Sequence, residues 1–281
     1  MRKLLLGDEA IAQAAIDSGL SGVYAYPGTP STEITEFIQL REEKRGDAEN
    51  KICCRWATNE KTAMEGALGM SYMGKRALVC MKHVGMNVAA DPFVNSAMTG
   101  VNGGLVVVAA DDPSMHSSQN EQDSRFYGKF AMMPIFEPSN QQEAYDMTRA
   151  AFELSEAVKL PVLMRVTTRM AHSRAVVNVT EEPRKQNEIN RPEDVRTWIL
   201  LPAFAKKRYV QLLAQQDDLM KASLESKYNC YRKGTNPELG VICTGIAYNY
   251  YMENVANAEE RSVLKVAQYP LPVERIEKMG A

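Results

Sequence analysis

The chain has 281 residues, 45% hydrophobic and 24% charged, enough to bury a sizeable core without disulfide or metal staples. Its 33 basic and 35 acidic side chains leave a net charge of −2, with no basic stripe of the kind that binds nucleic acid. No apolar run approaches the roughly 18 residues that span a bilayer, and the start turns acidic at Asp8 and Glu9, too early for a secretory signal. These features predict a cytoplasmic protein that engages neither nucleic acid nor membrane. The five cysteines, Cys53, Cys54, Cys80, Cys230 and Cys243, form no C-x-x-C pair and are odd in number. That argues against a zinc site, an in-chain iron–sulfur cluster or a disulfide framework, and no residue is assigned to a metal. The cysteines read as small buried hydrophobes, and the 16 methionines as soft core filler.

In chain order, strand-like runs at 22–26, 51–56, 76–81, 104–110 and 161–166 alternate with helical patterns near 8–18, 30–44, 59–73, 84–99 and 140–157. The run at 105–110 lacks polar alternation, as strands covered on both faces do. Strand and helix in alternation predict an α/β fold, a doubly wound parallel sheet over 1–178. Thr29 before Pro30 reads as a helix N-cap, and Ser139-x-x-Gln142 as a capping box. Gly74 and Gly100 stand where helices should end. Residues 179–236 read as a polar linker, with Pro183 and Pro192, followed by a long helix over about 202–227. Residues 237–281 carry a short β-α-β-α pattern, a second α/β unit that looks truncated. Its two strands cannot make an independent sheet, so it must dock on something or continue.

Ligands of open α/β sheets lie beyond the carboxyl ends of the strands. Past the first strand comes Tyr26-Pro27-Gly28-Thr29-Pro30-Ser31-Thr32-Glu33, a glycine turn offering N–H groups and hydroxyls to a polar or anionic ligand, or plain capping chemistry. Past the second, Glu60 shares a helical stripe with Ala63, Met64, Ala67 and Ser71, which points a carboxylate inward. As a first-turn residue it also complements the helix dipole. All three histidines, His83, His116 and His172, fall just after strand ends, and His83 shares its rim with Glu60 and Thr29. Dinucleotide, Walker A, zincin and serine-hydrolase signatures are absent.

Four strings together are similar to one family: Tyr26 to Glu33, Asn59-Glu60-Lys61, Met81-Lys82-His83-Val84-Gly85-Met86-Asn87 onward to Pro92, and Ala109 through Asp123. They resemble the alpha subunit of indolepyruvate:ferredoxin oxidoreductases, within the thiamine-diphosphate-dependent 2-oxoacid:ferredoxin oxidoreductases. The likeness covers about residues 4–175 strongly and 240–250 weakly. It implies that the first domain binds the aminopyrimidine of thiamine diphosphate. Glu60 would contact N1′ and favour the imino tautomer, Gly28 and Thr29 would line the cofactor, and His83 would lie near the reacting carbon. It further implies oxidative decarboxylation of an arylpyruvate to acyl-CoA, with ferredoxin as acceptor. The Gly-Asp-Gly motif that would hold diphosphate and magnesium is missing, as is a Cys-rich cluster segment. Only half a cofactor site is therefore expected, completed by a second copy or a partner subunit, with a dimer expected. Alternatives are a non-catalytic assembly subunit, or half of a non-oxidative decarboxylase.

Overall fold

The computed structural model describes residues 1–46 and 49–280. The chain opens with β1 (Arg2–Leu6), α1 (Gly7–Asp17), β2 (Gly22–Ala25), α2 (Thr32–Lys44), β3 (Cys53–Trp56), α3 (Glu60–Tyr72) and β4 (Ala77–Lys82). Next come α4 (His83–Val88), α5 (Ala90–Thr99), β5 (Leu105–Asp111), α6 (Arg125–Phe130), β6 (Ile135–Phe136), α7 (Gln141–Val158), β7 (Val162–Thr167), α8 (Thr168–His172) and β8 (Arg174–Asn178). The remainder holds α9 (Pro202–Ala214), α10 (Gln216–Leu224), β9 (Cys230–Arg232), β10 (Asn236–Thr244), α11 (Ala247–Asn254), β11 (Arg261–Val266), β12 (Gln268–Tyr269) and α12 (Val273–Gly280). Ala281, the end of the expected closing helix, lies outside the described residues.

Seven strands form one sheet in the order β12-β6-β7-β5-β4-β2-β3. Its neighbours are parallel except β12 on β6. Strand periodicity sends Leu78, Cys80, Val106, Val108 and Ala110 into one core against α1, α2 and α7. The alternate residues Ala77, Val79, Met81, Leu105, Val107 and Ala109 enter a second core against α3, α4 and α5. Both faces are covered, so β4 and β5 are buried along their whole length, which is why their sequences show no polar alternation. Burying each Val or Leu of this kind contributes about 1.5–3 kcal/mol.

Several boundaries differ from expectation. The helix over 84–99 is two, α4 and α5, broken at Ala89. Pro92 cannot donate to the carbonyl of Val88, so the ladder stops one turn earlier. The helix over 202–227 also divides, at Gln215, where Asp217 and Asp218 open a new first turn. Thr29 is not an N-cap, because residues 28–31 form a turn and α2 starts at Thr32. The cap of α7 is Asn140, whose side chain accepts from Glu143 N–H at 2.9 Å; Ser139 lies outside and is bonded by the Glu143 carboxylate. Gly74 and Gly100 end their helices with positive φ, as expected. Of the cysteines only Cys80 and Cys243 are buried; Cys53 and Cys54 are half-buried and Cys230 is exposed.

The stretch 180–194 has no helix or strand, yet it lies against the first unit. Arg184 N–H donates to Asp17 O, Gln186 to Leu20 O and Asn187 to Glu156. The last segment docks through β12, which extends the main sheet, while β9 adds a third strand to the β10–β11 pair. A buried Lys265 pairs with Glu143 and donates to Ser139 Oγ, closing the joint.

Arg76 is fully buried where β4 begins. Its guanidinium donates to Glu156 at 2.9 and 2.6 Å, to Glu153 at 2.8 Å and to Ser18 O at 2.9 Å. Burial pushes the Glu156 carboxyl up, but hydrogen bonds from Arg76 and Asn187 and the Arg76 charge bring it down to about 2. A depressed carboxyl stabilises the fold above its unfolded value, here 4.5, and that contribution is lost as pH falls through about 2. Urea unfolding should therefore show Glu156→Gln less stable than the parent at pH 7, with the gap closing as the pH drops below that window.

Candidate active site at the carboxyl rim of the sheet

Because β3, β2, β4 and β5 are adjacent and parallel, the segments after Trp56, Ala25, Lys82 and Asp111 leave along one rim. In the first of these turns Gly28 N–H donates to Thr32 Oγ1 at 3.0 Å, and both Ser31 N–H and Ser31 Oγ donate to Gly28 O at 2.9 Å. The Gly28 amide is thus consumed within the turn rather than free for a ligand, a correction to the sequence reading. Thr29 is exposed at the tip, outside these bonds. Gly28 rests on the stem of Lys82, whose side-chain carbons lie 3.5–3.8 Å from where a Cβ would sit.

Lys82 is buried and donates to Ser117 O at 2.7 Å. The loop it grips is organised by Asp112, which accepts from Ser117 N–H and Ser118 Oγ at 2.7 Å and Thr168 Oγ1 at 2.8 Å. Burial raises the Asp112 carboxyl, but those three bonds and the Lys82 charge lower it to about 2, so it is ionised. The loop after β5 is therefore tied to the ends of both β4 and β7.

Glu60 opens α3 beside its cap Asn59, which accepts from Thr62 N–H at 3.0 Å. Ala63, Met64, Ala67 and Ser71 of its stripe are buried, as the periodicity predicts, but Glu60 itself is half-buried at the rim. Its side chain lies directly over Gly85 of α4. A Cβ at residue 85 would come 2.5 Å from Glu60 Oε1 and 2.6 Å from its Cγ, so only glycine leaves the carboxylate its place. Among the described residues that carboxylate accepts no hydrogen bond; the neighbouring Lys61 pairs instead with Asp91.

His83, the first residue of α4, is fully buried, and neither ring nitrogen has a hydrogen-bond partner among the described residues. Burial lowers its pKa below the usual histidine value; Lys82 lowers it further, while Asp111, Asp112 and Glu121 oppose. The imidazole is neutral at pH 7, with two orphaned polar atoms in a rim where a ligand would satisfy them. Glu60 and His83 are not bonded to each other. Both meet at α4: Glu60, from α3, lies over Gly85, and His83 is the first residue of α4.

These features fit the pyrimidine end of thiamine diphosphate. They comprise an unpartnered carboxylate, a glycine floor beneath it, an unsatisfied neutral imidazole and an exposed threonine. Lys82 and Asp112, not singled out in the sequence, fix the rim, and Asp8, Glu33 and His172 gather behind it, Asp8 buried and the other two partly exposed. Glu33 and His172 stand in the segments after β2 and β7 that the sequence marks as the rim; Asp8 carried no local signal.

Residues 13–237 match a family model described as "Pyruvate flavodoxin/ferredoxin oxidoreductase, thiamine diP-bdg". The chain belongs to this family. It is similar to indolepyruvate oxidoreductase subunit IorA of Archaeoglobus fulgidus, at 42% identity over 277 residues, covering 97% of this chain and 44% of that protein. It is likewise similar to IorA of Thermococcus kodakarensis, at 40% identity over 279 residues, covering 97% of this chain and 42% of that protein. Among solved structures, a 2-oxoglutarate:ferredoxin oxidoreductase from Magnetococcus marinus superposes with a TM-score of 0.73, covering 99% of this chain and 56% of that one. At 16% identity that likeness concerns the fold. The family match bears out the resemblance read from the four motif strings. The chain spans less than half the length of the IorA relatives. Among the described residues no helix is long and apolar enough to cross a membrane.

Proposed function

We propose that this chain supplies the aminopyrimidine half of the cofactor site of a thiamine-diphosphate-dependent oxidoreductase that decarboxylates a 2-oxoacid, an arylpyruvate such as indolepyruvate, with coenzyme A and ferredoxin as co-substrates. The observation that carries this is Glu60: a half-buried carboxylate with no hydrogen bond among the described residues, seated on Gly85 at the carboxyl rim. The cofactor, when bound, supplies the nucleophilic carbon and the electron sink for loss of carbon dioxide. Glu60 holds a proton at N1′ of the aminopyrimidine, and Gly85 sets its position. His83, neutral and unpartnered, offers a donor or acceptor to the 2-oxoacid. Thr29 lines the approach, and Gly28 shapes its turn over Lys82. The division at 178 and 236 into pyrimidine domain, linker and second α/β unit belongs to this reading. So do the magnesium and iron–sulfur clusters of the complete enzyme, carried on portions this sequence does not contain, and a second copy or partner subunit to complete the site.

The complete assembly should oxidise indolepyruvate or phenylpyruvate, with coenzyme A, while reducing ferredoxin; inactivity towards a panel of 2-oxoacids that includes 2-oxoglutarate contradicts the proposal. The 281-residue chain alone should bind thiamine diphosphate weakly or not at all, since it lacks the diphosphate–magnesium anchor. Titration calorimetry showing micromolar binding by the chain alone would mean that the half-site description is wrong.

A further inference from the structure

Behind the Thr29 turn, three segments bring together two carboxylates and an imidazole. Asp8 sits in the first turn of α1, Glu33 in the first turn of α2, and His172 ends α8. One potential ligand atom from each lies within 4.8 Å of the others. The approach of α1 to α8 is set by Gly7, where any Cβ would overlap the carbonyl of Met170, so Asp8 is carried against the end of α8.

The group is not explained by the protein around it. Among the described residues, Asp8 is 0% exposed and neither of its oxygens has a hydrogen-bond partner; the Glu33 Oε2 atom is also buried without one. Burial, then the Glu33 and Glu9 charges, push the Asp8 carboxyl well above the carboxylate range, with no cation among the causes. His172 Nε2 lies 3.5 Å from Glu33 Oε1. One buried and one partly exposed carboxylate beside an imidazole are a donor set for a divalent cation, which would neutralise both charges and satisfy the orphaned oxygens. Ligands about 2.0–2.2 Å from a tetrahedral zinc ion lie about 3.4 Å from one another, close to the separation Glu33 and His172 already have. His172 and Glu33 are about one-third exposed, which leaves a route in from solvent and room for a water as fourth ligand.

We infer that Asp8, Glu33 and His172 form a binding site for a first-row divalent cation, zinc by preference. The mixed oxygen and nitrogen donors favour it over magnesium or calcium, which take oxygen alone. The ion would staple α1, α2 and α8 together behind the turn that carries Thr29. This inference does not rest on the thiamine reading, and either can fail without the other.

The test uses the chain after chelator treatment, titrated with Zn²⁺ and, for its visible spectrum, with Co²⁺. The parent should bind one equivalent, gain Co²⁺ d–d absorption and melt at a higher temperature than the metal-free chain. Asp8→Asn keeps the side-chain size and removes the buried charge, so it should fold at least as stably without metal. His172→Ala removes a partly exposed ring and leaves the core intact. Each should lower affinity by about a hundredfold, which separates this site from adventitious binding at the cysteines. Absence of stoichiometric binding by the parent, or parent-like affinity in either variant, overturns the site.

Discussion

A Glu60→Gln enzyme, assembled with the polypeptide that completes its site, should turn over about a hundredfold more slowly than the parent, or worse. The amide fits over Gly85 as the carboxylate does, so the pocket keeps its shape. It cannot hold an acidic proton, so the proton relay at N1′ is lost while contact remains. The Michaelis constant for the 2-oxoacid should change much less, because the proposed contact of Glu60 is with the cofactor and not with the substrate. Gly85→Ala gives an independent check: its methyl group would occupy the space of Glu60 Oε1 and Cγ, so it should lower turnover without removing the acid. His83→Ala should disturb both kcat and KM, since the proposed role of its buried, unpartnered ring is to meet the 2-oxoacid. Near-parental turnover in Glu60→Gln would return Glu60 to an ordinary role at a helix N-terminus.

Arg76→Met should destabilise the fold by about 1.5–3 kcal/mol, because it removes the charged hydrogen bonds that a buried guanidinium makes to Glu156 and Ser18 O, while the carboxylates left behind keep some contact with water. Against a typical total of about 5–15 kcal/mol, that is a large share of the stability. The guanidinium ties the start of β4 to α7 through Glu153 and Glu156, and to the end of α1 through Ser18. Arg76→Lys should recover only part of the loss, since a single ammonium cannot reproduce the paired bonds to Glu156. Urea denaturation of the three proteins at neutral pH measures this; a Met variant within 1 kcal/mol of the parent, on the ordinary scale of a surface change, would show that the network is not a keystone.

What was legible in the sequence was whatever is local. The parallel strands declared themselves through unbroken apolar runs such as 105–110, and the rim followed because each run is succeeded by a segment rich in polar residues. Glu60 could be placed by its 3.6-residue stripe, although the stripe does not reveal that its first member stops at the rim, half-buried. The β1–β8 ladder was not legible: Arg2 pairs with Asn178, and neither strand has a hydrophobic pattern strong enough to announce a partner so distant. Short β6, β9 and β12 were missed for the same reason, being defined by pairing rather than by pattern. The break between α4 and α5 was readable from Pro92 but was outweighed by the apolar periodicity on either side. Asp8 shows the limit most plainly. Its neighbours in sequence give it the look of a first-turn acid, and only the close approach of α1 to α8 buries it beside Glu33 and His172, which stay partly exposed.

The most direct measurement is a structure of the complete enzyme with thiamine diphosphate bound. The account predicts a Glu60 carboxylate oxygen within hydrogen-bond reach of N1′, about 2.6–3.2 Å, with Gly85 still beneath it and His83 facing the reacting end. A pyrimidine ring held by other residues, with Glu60 turned to solvent or paired within the protein, would contradict it.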